Sequence, residues 1–135
     1  MSIHLERKDL INSQQMEVSV NGPDGATHLI ICTGVANLDS VCHETYTFLV
    51  GPQLSRHQFV SAIASGALSK IQAFNKTING NNAQVELGAN LILINASYDE
   101  KFKQVKISAE VSSSTEVTKL SISYDVNILA ELPSY

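Results

Sequence analysis

The chain has 135 residues, a net charge of −4, 44% apolar and 16% charged residues. That length holds a single domain, residues 1–135, with a core that needs no disulfide or metal staple. Nine scattered Lys and Arg residues exclude a general nucleic-acid surface, and a thinly charged, polar surface suits contact with another protein or another copy of the chain.

Residues 1–14 carry no pattern and read as an N-terminal arm or an edge strand. Met16, Val18 and Val20 alternate with Glu17 and Ser19, which predicts a strand. Asn21-Gly22-Pro23-Asp24-Gly25 predicts a turn. The next strand, 27–35, contains Leu29-Ile30-Ile31-Cys32, apolar on consecutive positions, which requires cover on both faces or a central place in the sheet. A turn at 37–40 leads to a third strand, 41–50, with Tyr46, Phe48 and Val50 on one face.

Residues 55–79 predict one long amphipathic helix. Ser55 and Gln58 form a capping-box pair, and Leu54 and Phe59 are spaced as a hydrophobic staple. Phe59, Val60, Ile63, Ala64, Ala67, Leu68, Ile71 and Phe74 recur at three- and four-residue steps. Gly66 interrupts this run at a cost of about 1 kcal/mol relative to Ala, and Asn79-Gly80 supplies the stop. A short strand at 84–87, a bend at Gly88 and a further strand at 89–98 follow, the last with Leu91-Ile92-Leu93-Ile94. After a hairpin turn at 99–101, residues 102–128 alternate almost without fault. Val105, Ile107, Ala109 and Val111 form one face, and Leu120, Ile122, Tyr124, Val126 and Ile128 the next, across a turn at 112–115.

The expected fold is α+β. A strongly curved antiparallel sheet of six to seven strands, or one folded into a sandwich, packs against the helix after the third strand. One helix cannot cover both faces of such a sheet. The surplus apolar surface, with Ile30, Cys32, Ile92 and Ile94 as interface residues, predicts a non-catalytic interaction module that binds a protein partner or forms a homo-oligomer.

The chemistry-bearing residues offer less. No phosphate-binding loop, dinucleotide fingerprint or zinc-protease helix occurs, and no cofactor or metal is implied. Cys42-His43-Glu44 places three ligand types in sequence, but strand alternation separates His43 from the other two. Cys32 and Cys42 lie in predicted strands as buried thiols, able to pair only if the hairpin register sets them opposite each other. The sequons at Asn75 and Asn95 are read as chance. Arg56 and His57, at the start of the predicted helix, form a candidate anion site with the free backbone N–H groups. Ala64, Gly66 and Ala67 leave space for a small apolar ligand between helix and sheet, the alternative reading as a carrier.

A helix wrapped by a sheet is similar in outline to the hotdog thioesterases and dehydratases. A hydrolase or isomerase with His57 or His43 as base is therefore the third reading. Those enzymes use an acidic group in or near the central helix, whereas 55–79 contains neither Asp nor Glu and three strands precede it, so no family is assigned. Met1–Lys8 has no apolar leader and no apolar run approaches the ~20 residues of a membrane helix. The expectation is a cytoplasmic protein with no membrane insertion.

Overall fold

A computed structural model describes residues 2–20, 27–39, 43–73, 88–114 and 117–132. These residues form two four-stranded sheets facing each other as a sandwich. Sheet A has the order β1 (Ser2–His4), β4 (His43–Val50), β7 (Gln104–Ser113), β6 (Ala89–Asp99). Sheet B has the order β2 (Leu10–Val20), β3 (Thr27–Asp39), β8 (Val117–Glu131), β5 (Phe59–Ala73). All pairings are antiparallel except β1 with β4.

Strand alternation builds the core. Ile30, Cys32, Ala36 and Leu38 of β3 and the even positions from Leu120 to Ala130 of β8 face inward from sheet B. Tyr46, Phe48 and Val50 of β4 and Val105, Ile107, Ala109 and Val111 of β7 meet them from sheet A. Phe48 and Tyr124 join the two sheets with ring centroids 5.0 Å apart. At the β6–β7 hairpin, Asp99 Oδ1 accepts the Phe102 N–H at 3.0 Å. That bond above all, aided by the Lys101 N–H and the ammonium groups of Lys106 and Lys101, holds the Asp99 carboxyl below the ordinary carboxylate range.

The α+β expectation is wrong at one element. Residues 59–73 form strand β5, not a helix, and the described residues contain no α-helix. The capping signal is real but local. The Ser55 N–H donates to Gln58 Oε1 at 2.8 Å, and the N–H groups of Gln58 and Phe59 donate back to the Ser55 carbonyl. One turn forms, and then the chain extends along β8. Ala62, Ala64, Gly66 and Leu68 face inward while Ser61, Ile63, Ser65 and Ala67 face outward, beside Leu129, Asn127, Asp125 and Ser123 of β8. Serines spaced by four satisfy both a helical and a two-residue period. Ser, Val and Ile favour the helix little, and pairing along nearly the whole of β8 decides. The helix stop at Asn79-Gly80, the strand at 84–87 and the turn at 21–25 lie outside the described residues.

The two long sides of the sandwich differ. At one, β5 and β6 come edge to edge, with Gly66 of β5 against Ile94 of β6. A Cβ on Gly66 would meet Ile94 Cδ1 at 3.0 Å and the Ser123 carbonyl oxygen at 3.2 Å. At the other side, β1 has three residues against eleven in β2, so sheet A stops short of sheet B.

Gly66→Val separates strand from helix. In a helix the change would be neutral or stabilising. Between β5 and β6 the added methyls overpack the junction, and urea denaturation is expected to show a loss of about 1–3 kcal/mol.

Candidate interaction surface at the open side

The outer face of sheet A is mostly polar: Thr45, Thr47, Lys106, Ser108, Glu110, Asn95 and Ser97 lie on it, with Leu49 and Leu93 among them. Sheet B divides in two. On β8 and β5 the outward positions are Ser123, Asp125, Asn127, Ser61, Ser65 and Ala67, with Ile63 and Leu129 the larger apolar members. On β2 and β3 Met16 lies beside Ile31 and Val18 beside Leu29, and the polar pair Gln14 and Thr33 separates these from Ile11 beside Val35. Met16 is 61% exposed, and Ile11, Val18 and Val20 are exposed as well. Neither strand carries a Lys or Arg. An uncharged apolar patch of Met16, Val18, Leu29 and Ile31 thus borders the open side of the sandwich.

The phase of β2 is inverted relative to its sheet. Its inward positions are Gln15, Glu17 and Ser19, beside Cys32, Ile30 and His28. Sheet A does not reach over them, so polar side chains are tolerated there. His28 Nδ1 lies 2.8 Å from Glu17 Oε1, close but not aligned as a hydrogen bond.

A cleft of about 660 Å³ opens between the sheets on this side. Leu5, Leu10 and Val50 wall it, Cys32 and Tyr124 form its floor, and Arg7 stands at its rim. Burial, and secondarily the Asp125 carboxylate, push the Cys32 thiol up from its ordinary 9.0 to about 11. It is a neutral, inert thiol at physiological pH, and it is free. β3 and β4 lie in different sheets rather than in a hairpin, and Cys42 lies outside the described residues.

The other sequence candidates are dispersed. Arg56 and His57 are exposed in the turn before β5 rather than at a helix N-terminus. The Arg56 guanidinium lies over the Tyr98 ring, 5.6 Å from its centroid, and 3.8 Å from Glu100. Tyr98 stacks on Phe59 and donates its hydroxyl hydrogen to the Leu54 carbonyl at 2.6 Å, so this group clamps the loop over the sandwich end. Ala64 and Gly66 face the tight β5–β6 junction and Ala67 faces outward. With no helix, the ligand space between helix and sheet does not exist. Of the four interface candidates, Ile30 and Cys32 point into the core, and Ile94 packs toward Gly66. Ile92 is exposed, at the bulge where β6 slips against β7. The outward apolar residues of β3 are the neighbours of the two predicted ones, Leu29 and Ile31. Unbroken apolarity at 29–32 carried that signal, but not which parity faces out.

His43 Nε2 is 2.9 Å from Glu110 Oε2 across β4 and β7, exposed on the polar face. Among the described residues no group of three or more His, Cys, Asp or Glu side chains gathers at metal-binding distance, and no helix is long and apolar enough to cross a membrane. Comparison with family models, curated proteins and solved structures gives no match.

The raised Cys32 pKa has a consequence for stability. The folded state holds the proton more tightly than the unfolded chain, so the contribution is full below about pH 9 and is lost as pH rises toward 11. Two pH units correspond to ~3 kcal/mol at most. In urea denaturation at about pH 8 and about pH 11, wild type is expected to lose more stability than Cys32→Ala. Equal losses would contradict the assignment.

Proposed function

We propose that this protein is a non-catalytic assembly module that associates along the β2–β3 border of sheet B. The observation that carries the reading is the patch Met16, Val18, Leu29 and Ile31, adjoining in register and free of cations. Removing such surface from water contributes roughly 25 cal/mol per Å², and a cluster of this kind beside a sheet edge marks an interaction site more often than chance exposure. Cys32, the one thiol on the cleft floor, is held protonated, which argues against nucleophilic chemistry there. The hotdog-like reading depended on the helix and falls with it.

A second reading, a carrier for a small ligand, is favoured by the open-side cleft, whose volume of about 660 Å³ lies within the usual range for ligand sites. Native mass spectrometry of the purified protein would then show an additional bound mass.

The assembly reading is tested by light scattering at micromolar concentration. Wild type is expected to be larger than a monomer, and Met16→Lys to weaken association at least tenfold. Met16 is exposed, so the substitution is expected to change folding stability by less than about 0.5 kcal/mol. A strictly monomeric wild type would overturn the reading.

A further inference from the structure

We infer that the occupant of this border is a second copy of the chain, its β2 hydrogen-bonded antiparallel to the first β2 across a two-fold axis centred on Val18. The inference rests on the assembly reading above and adds the partner, the element and the register.

The edges of the sandwich single out β2. β5 and β6 cover each other, and β1 has three residues. β2 has β3 on one side, and no described strand pairs with its other side. After the bulge between Ile11 and Gln14, its register runs unbroken from Gln14 to Val20. A free strand edge presents a row of unpaired N–H and C=O groups, which another strand satisfies. Native edges are commonly blunted by lysine, proline or a bulge. The Gln14–Val20 stretch has none of these, and its sole charge is Glu17, beside His28. The occupant is therefore a strand.

The sequence of β2 is complementary to itself in one register. An antiparallel pair centred on Val18 sets Val18 against its own copy and Met16 against Val20, all on the outward face. Glu17 then meets Ser19 on the other face. Centring on Glu17 would set two carboxylates directly opposite each other, which is destabilising. The isologous arrangement is that of the commonest homodimers, and it joins two four-stranded sheets into one of eight with both apolar patches at the middle.

Cysteine cross-linking in a Cys42→Ser background tests this, since Cys32 is buried and inert. Val18→Cys alone is expected to oxidise mostly to a disulfide-linked dimer. Met16→Cys and Val20→Cys are each expected to stay largely monomeric on the same gel, and their mixture to form the cross-linked heterodimer. If wild type is oligomeric but Val18→Cys stays reduced, or if Met16→Cys links to itself more readily, the register is wrong and the assembly reading stands. If wild type is monomeric by light scattering, both fail.

Discussion

β8 is the strand on which the rest depends. It pairs with β3 over thirteen positions and with β5 on its other side, and its inward face from Leu120 to Ala130 supplies much of the core. A strand buried on one face and paired on both edges tolerates no slip, because a shift of one residue would turn every apolar side chain to solvent. Its register therefore fixes which side chains of β3 and β5 face inward. It also explains why residues 59–73 are extended despite a helical start. The single turn closed by Ser55 and Gln58 gains a few hydrogen bonds, whereas extension along β8 gains a full ladder and the burial of Phe59, Ala62, Ala64 and Leu68.

From that frame the two sides of the sandwich follow. Gly66 lets β5 and β6 close on each other. On the opposite side the short β1 leaves β2 without a facing strand. β2 answers with polar side chains inward, toward the open cleft, and with Met16 and Val18 outward, beside Ile31 and Leu29 of β3. An edge strand of this kind is a weak element within one protomer, since few side chains cover it. Its free backbone groups are paired when another strand lies beside it, and its outward side chains then gain cross-strand neighbours.

Much of the β-structure was legible in the sequence. Strands around 16–20, 43–50, 104–113 and 117–128 follow from two-residue alternation, those around 27–35 and 89–98 from apolar runs between turns, and Asp99 marks the hairpin that its carboxylate closes. The helix was misread because Phe59, Ile63, Ala64, Ala67 and Leu68 fit a helical stripe while Ala62, Ala64, Gly66 and Leu68 fit a strand equally well. The lack of any charge from His57 to Ser69 is the feature that distinguishes the two, since a helix exposed along one side normally carries charge there. The site was harder. Alternation in β2 shows that one face is apolar, not that this face points away from the core. Only the register with β3, and the shortness of β1, reveal that. The run Leu29-Ile30-Ile31-Cys32 splits by parity: Ile30 and Cys32 are buried in the core, and Leu29 and Ile31 lie half-buried on the outer face of sheet B.

The central claim, that β2 is completed by another strand, is tested most directly by hydrogen–deuterium exchange as a function of protein concentration. Peptides covering Gln14–Val20 are expected to exchange slowly in concentrated protein and to speed up on dilution, while peptides from β7 stay unchanged. Exchange in β2 that is fast and independent of concentration would contradict the account.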